Sequence, residues 1–127
     1  MAQLTPIVLN DGTADVTFLP HEITSQNVAR LRTNAETVIG TEELSVQARD
    51  AVSNRRVTVK VTLPVVQNEV INGITTPKVV RQQIATVELS LPKTSIKSDR
   101  KRARNLIANA LSNALIAAVI DSNESLY

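Results

Sequence analysis

The hydrophobic pattern of this 127-residue chain changes its period near residue 98, and that change limits the folds open to it. Residues 44–49, 56–63 and 84–91 alternate apolar and polar side chains, as strands with one buried face do. From residue 98 onward, apolar residues recur at the i, i+3, i+4 and i+7 spacing of an amphipathic helix. Strands followed by helices predict a single α+β domain over residues 1–127.

The alternating segments predict an antiparallel sheet that is apolar on one face and polar on the other. Hydroxyl, amide and cationic groups on the polar side suit contacts to the phosphates, sugars and base edges of a nucleic acid. Any antiparallel sheet with one solvated face has a polar surface of this kind, so the pattern alone leaves both interpretations open. The candidate residues are Ser45, Gln47, Arg49, Thr58, Lys60, Gln82 and Thr86.

Two dipeptides with glycine predict hairpin turns. Asp11-Gly12 lies between the apolar runs 6–9 and 16–19, which predicts an N-terminal hairpin within residues 1–20, ended by Pro20. Asn72-Gly73 lies at the middle of a second hairpin, over residues 64–78. Apolar residues beside a turn are unusual in water, so we expect this tip to contact another molecule. These residues include Val70, Ile71 and Ile74.

Residues 98–122 predict one or two C-terminal helices. Ser98 is the expected N-cap, Asp99 suits the first turn, and Ser112-Asn113 marks a possible break. The chain has few aromatic residues, so its core must be packed from small aliphatic side chains or completed by another subunit. The apolar helical face is a candidate for that contact, through Leu106, Ile107, Leu111 and Leu115.

Charge is concentrated in one window. Residues 93–104 contain six basic residues and one acid, Asp99, within a chain whose net charge is +2. Such asymmetry is typical of a protein with an anionic partner, although a solvated helix face would show the same pattern.

The sequence offers little material for catalysis. It has no cysteine and a single histidine, His21, so thiolate chemistry and the usual zinc sites are excluded. Glu42 and Glu43 are adjacent and would point to opposite faces of a strand, and no phosphate loop or hydrolase motif is found. We therefore predict no enzyme activity, no cofactor and no metal.

No apolar run reaches the length of a membrane span and the N-terminus lacks a secretion signal, so we expect a soluble protein made in the cytoplasm.

Three segments in order carry a resemblance to a known family. They are residues 54–61 (Asn-Arg-Arg-Val-Thr-Val-Lys-Val), residues 76–82 (Thr-Pro-Lys-Val-Val-Arg-Gln) and, after the Ala/Leu/Ile-rich helix, residues 121–127 (Asp-Ser-Asn-Glu-Ser-Leu-Tyr). In length, order and spacing, essentially the whole chain resembles the coat protein of the leviviruses, the small single-stranded RNA bacteriophages.

The resemblance implies a specific architecture. It implies an N-terminal hairpin, a five-stranded antiparallel sheet over residues 28–91, and two C-terminal helices. Two subunits would form an intertwined dimer with a ten-stranded sheet, and dimers would assemble in the bacterial cytoplasm into the icosahedral shell of the virion. The axis loop 64–78 would join dimers at symmetry axes through Val70, Ile71, Asn72, Gly73 and Ile74.

The resemblance also implies a partner, the single-stranded RNA genome, bound on the inner face of the sheet. A stem-loop bound there would repress translation. The family's RNA-contacting positions fall on Ser45, Gln47, Thr58, Lys60, Ile84 and Thr86.

Two features of this sequence modify what the resemblance implies. Ile84 stands where relatives can present a tyrosine, so the chain lacks that stacking contact. The outward-facing helices would place Arg100, Lys101 and Arg104 outside the shell, in a solvated or interface role. The alternative from another class is a dimeric regulatory protein that binds nucleic acid on its sheet and forms no shell.

Overall fold

The computed structural model describes residues 3–35 and 38–126. The chain forms two compact units, Met1–Ser90 and Leu91–Tyr127. The first contains almost all of the strand residues and the second contains the helices.

The sheet follows the order of the chain. Its six strands run β1-β2-β3-β4-β5-β6, and the pairs from β1 to β5 are antiparallel. This is one strand more than the predicted five-stranded sheet, because β2 pairs with β3 as well as with β1 and joins the hairpin to the sheet. The strands are β1 (Ile7–Asn10), β2 (Asp15–Ile23), β3 (Val28–Arg32), β4 (Glu43–Asp50), β5 (Asn54–Ile71) and β6 (Ile74–Pro92).

Both predicted hairpin turns are present. Gly12 has a φ of 97°, and the carboxylate of Asp11 accepts hydrogen bonds from the backbone N–H groups of Thr13 and Ala14 at 2.8 Å. Asn72 and Gly73 have φ values of 52° and 79°, the two positive angles of a type I′ turn. This tight turn lets β5 and β6 extend to Ile71 and from Ile74, so the predicted axis loop is a long β-ribbon.

The pairing of β1 with β2 ends at Ile7 and Phe18, within the predicted hairpin, but Pro20 does not end the strand. Strand β2 continues to Ile23 through a register shift, in which Pro20 lies opposite Leu31 and Glu22 lies opposite Arg30. The shift leaves His21 as the extra residue of a bulge. Pro20, beside the bulge, lacks an N–H group, and its absence is tolerated where the ladder is interrupted. With regular alternation Glu22 would lie opposite Ala29, so the bulge moves its carboxylate to the other face of the sheet.

The core of the first unit is small and is built from two leucines and one phenylalanine. Phe18, Leu31 and Leu44 are its buried residues among those described, and no polar residue is buried there. Partly buried side chains pack around them, which are Leu4, Ile7, Val16, Val59 and Val61. The apolar sides of the predicted strands 44–49 and 56–63 therefore do form one face, as their alternation indicated.

The C-terminal unit contains α1 (Lys97–Ser112) and α2 (Ala114–Asp121). Ser98 is not the N-cap: the N-cap of α1 is Ile96, two residues earlier, and it makes no side-chain cap hydrogen bond. Arg100 Nη1 donates to the carbonyl of Ser95 at 2.6 Å. The predicted break is confirmed, since Asn113 is extended and its Oδ1 accepts a hydrogen bond from Leu115 N at 2.9 Å.

In the described residues, no single helix is long and apolar enough to cross a membrane. Helices α1 and α2 reach the required length and apolar character only when taken together, and a 60° bend separates them.

Candidate functional site

Strand register places most of the predicted RNA-contacting residues on one side of the sheet. Ser45 lies opposite Lys60, and Gln47 lies opposite Thr58. Arg49, two residues further along β4, lies opposite Arg56. We call this side the polar face; on β3, β4 and β5 it comprises Val28, Arg30, Arg32, Glu43, Ser45, Gln47, Arg49, Arg56, Thr58, Lys60 and Thr62.

Two predicted cations of the polar face are more accessible than its predicted hydroxyl and amide residues. Lys60 and Arg49 are exposed, whereas Ser45, Gln47 and Thr58 are partly buried. The amide of Gln47 donates from Nε2 to the carbonyl of Gln26 at 3.2 Å and is thereby tied to the turn between β2 and β3. A polar depression lies between this turn and the end of β4, lined by Ser25, Gln26, Asn27, Gln47, Arg49 and Asp50.

Strand β6 contributes the remaining predicted positions, all of them exposed: Gln82, Ile84 and Thr86. An ion pair of 3.6 Å between Arg56 and Glu88 connects the polar side of β5 to this strand. Period-two alternation places Ile84 and Thr86 on the side of Glu88. The described part of the polar face holds no aromatic side chain, and Tyr127 lies outside the described residues.

Sequence reasoning missed two arginines of the polar face. Arg30 donates from Nε to Glu43 Oε1 at 2.9 Å and from Nη1 to Glu22 Oε1 at 3.0 Å. Arg32 Nε lies 3.4 Å from Glu43 Oε2. The signal was available in the alternation of β3, where Arg30 and Arg32 flank the buried Leu31. The position of Glu22 had no such signal, because it depends on the bulge.

The ion pair of Arg30 with Glu22 favours the charged forms of both groups. The hydrogen bond from Arg30 lowers the pKa of Glu22 below its usual value, and desolvation opposes that shift only in part. The same hydrogen bond, together with the charge of Glu43, raises the pKa of Arg30. The polar face therefore carries, at Arg30, a guanidinium that lies beside two carboxylates.

Two apolar surfaces remain open in the single chain. At the tip of the β5–β6 ribbon, Val70, Ile71 and Ile74 are each more than half exposed. Neither helix has a buried residue in the described chain. The predicted dimer residues Leu106, Leu111 and Leu115 are about as exposed as that tip, and Ile107 is 40% exposed. Such exposure is unusual for a lone soluble domain.

The basic window lies on α1. Its helical members Lys97, Arg100, Lys101, Arg102 and Arg104 are exposed, and none of them makes an ion pair within the described residues. Within residues 3–35 and 38–126, no group of three or more His, Asp or Glu side chains is placed to hold a metal ion.

Comparison with known proteins finds relatives along nearly the whole chain. Residues 2–127 match the model of a family described as levivirus coat protein. The capsid protein of Pseudomonas phage PRR1 is 35% identical over 114 residues, which are 87% of this chain and 86% of that protein. The virus-like particle of Beihai levi-like virus 21 has a subunit with 29% identity and a TM-score of 0.87, over 99% of both chains. That of bacteriophage ESE058 has 25% identity and a TM-score of 0.89, over 99% of this chain and 100% of the other.

The ion pair of Glu22 predicts a pH-dependent contribution to stability. Because the pKa of Glu22 is lowered in the folded chain, its contribution is complete above its ordinary pKa of 4.5 and is lost as pH falls through the lower folded value. We expect Glu22→Gln to lower the urea midpoint at neutral pH, and the difference from the unmodified chain to vanish near pH ~2. Glu42→Gln is the control, since Glu42 makes no ion pair in the described structure. A midpoint difference that persists unchanged in acid would contradict the assignment.

Proposed function

The chain belongs to the levivirus coat protein family, and from that premise we propose how this capsid protein works. Its subunits form intertwined dimers, the dimers assemble into an icosahedral shell, and the polar face binds single-stranded genomic RNA inside that shell. Binding of an RNA stem-loop to the same face represses translation. The observation that carries the RNA proposal is the continuous polar face, on which cations and hydroxyls of three strands lie in register.

Assembly is supported by what a single chain leaves uncovered. Burying one leucine or isoleucine side chain contributes roughly 1.5–3 kcal/mol, and five such residues are exposed on α1 and α2. Strand β6 lies at the end of the strand order, so a second subunit could continue the sheet there and remove a long unpaired edge. Likeness to subunits of virus-like particles favours a shell over the regulatory dimer that forms none.

The RNA proposal is supported by unbalanced charge on the polar face. Arg49 and Arg56 lie directly opposite each other, and like charges in that position destabilise a strand pair. Glu88 compensates Arg56 at 3.6 Å, while Arg49 and Lys60 make no ion pair among the described residues. A phosphate backbone would relieve this repulsion. With Ile84 in place of a stacking aromatic, a contact of roughly 1–3 kcal/mol per base is absent, so binding is mainly electrostatic.

Truncation on the helix tests the dimer. We expect Leu111→Ala to cost on the order of 2–5 kcal/mol, because the partner subunit would bury this side chain and the substitution would leave a cavity. Since the folded subunit requires its partner, the melting temperature should rise with protein concentration, and the variant should melt lower at every concentration. Val52→Ala, at a side chain that is 98% exposed, is the control. A folded monomer with a concentration-independent melting temperature would refute the proposed interface.

Replacing the apolar tip of the β5–β6 ribbon tests the contacts between dimers. We expect the combined change of Val70, Ile71 and Ile74 to serine to leave dimers folded, because the side chains make no core contact. Particles should form poorly or dissociate more easily, as seen by negative-stain microscopy and size exclusion. Asn68, Thr75 and Thr76 changed together to serine give a matched control on the same ribbon. Particles of unchanged number and stability from the apolar-tip variant would count against the proposal.

Neutralising single cations tests which surface binds RNA. Lys60→Ala should weaken binding to many RNA sequences and reduce the slope of log K against log salt by about 1, as loss of one phosphate contact does. Thr86→Ala should act on discrimination between hairpins, because its hydroxyl reaches base edges without carrying charge. The paired change of Arg100 and Lys101 to alanine on α1 should have little effect. Loss of affinity in that pair, with Lys60→Ala unaffected, would reverse the assignment.

A further inference from the structure

We infer that Arg30 is a phosphate-binding residue of the polar face, and that Glu22 and Glu43 hold its guanidinium in position. The ligand is a phosphodiester of single-stranded RNA. This inference rests on the proposed RNA-binding role of the polar face and extends that surface from β4 and β5 onto β3.

Strand register places Arg30 in one row with two predicted RNA contacts. Arg30 lies opposite Ser45 on β4, and Ser45 lies opposite Lys60 on β5. Neighbouring strands are about 4.8 Å apart, so the backbones that carry the two cations are separated by roughly 10 Å, with a hydroxyl between them. Long arginine and lysine side chains can converge over that distance on one phosphate or hold two consecutive phosphates. The serine hydroxyl can donate to the same group.

The guanidinium of Arg30 is held at two of its donors. Glu43 on β4 accepts from Nε at 2.9 Å, and Glu22 on β2 accepts from Nη1 at 3.0 Å. An arginine has five N–H donors in a planar fork, so these bonds fix the plane of the group and leave donors for a phosphate. Fixing a long side chain before binding reduces the entropy lost when RNA arrives. The bulge at His21 makes this arrangement possible, because it brings Glu22 onto the polar face.

The carboxylates also limit what Arg30 contributes. The cluster of Arg30, Arg32, Glu22 and Glu43 has two positive and two negative groups, so it adds little to long-range attraction of RNA. Arg30 acts only on a phosphate that is already close enough to accept a hydrogen bond. Glu22→Gln removes a charge that competes with phosphate but keeps an amide oxygen that can accept from Arg30. The guanidinium thus stays in position and binding is strengthened, whereas removing Arg30 removes a contact.

The experiment measures binding of oligouridylate by the full-length protein across a range of salt concentrations, under conditions that keep the protein dimeric. Arg30→Gln should reduce the salt slope by about 1, as Lys60→Gln does. Arg30→Lys should restore the slope but not the full affinity, because an ammonium lacks the planar fork. Glu22→Gln should raise affinity by roughly 2- to 5-fold, the size expected when one exposed ion pair no longer competes with phosphate.

The variants distinguish failure of this inference from failure of the proposed function. A normal slope in Arg30→Gln, with a reduced slope in Lys60→Gln, would show that Arg30 only connects neighbouring strands through its ion pairs. RNA binding by the polar face would be unaffected by that result. Normal slopes in both variants would overturn the RNA-binding role itself. If Arg30→Gln does not fold, as judged by circular dichroism and dimer size, Glu22→Gln decides: unchanged or weaker binding overturns the inference.

Discussion

The structure depends on the difference between the two faces of one antiparallel sheet. Leu44 packs against Leu31 and Phe18 on one face, while Ser45, the next residue, lies between Arg30 and Lys60 on the other. Because side chains alternate with period two, a slip of one residue between β4 and β5 would exchange these sets and bury cations. The apolar core therefore enforces the register that assembles the polar face. Packing and the candidate binding surface are two consequences of the same alternation.

The small size of the core has a second consequence. Three buried side chains among the described residues give a limited apolar core, and neither helix contains a buried residue. Hydrophobic stabilisation scales with the apolar area removed from water, so much of what this chain could gain is realised only between copies. This accounts physically for a capsid subunit that has few aromatic residues and exposes apolar side chains on α1, α2 and the β5–β6 ribbon. Membership of the levivirus coat protein family agrees with that chemistry.

The cations of the polar face fall into two groups, those in ion pairs and those without one. Arg30 and Arg32 lie beside carboxylates, whereas Lys60 and Arg49 make no ion pair within the described chain. An exposed cation without an ion pair attracts an anion over roughly a Debye length, whereas a guanidinium beside carboxylates acts at hydrogen-bonding distance. In the proposed RNA-binding role, Lys60 and Arg49 would attract a phosphate backbone and the oriented Arg30 would bind it at close range.

Local sequence pattern determined the strand faces, the tight turn and the helix break of this protein. Period-two alternation in residues 44–49 and 56–63 predicted the two faces, Asn72-Gly73 predicted a turn with two positive φ angles, and Asn113 predicted the helix break. Each of these features depends on residues close together in the chain. The tertiary structure alone decided that β2 continues past Pro20 and that the bulge at His21 turns Glu22 toward Arg30. A bulge is set by pairing with another strand, and an ion pair across three strands by the register of all of them, so neither can be read from local pattern.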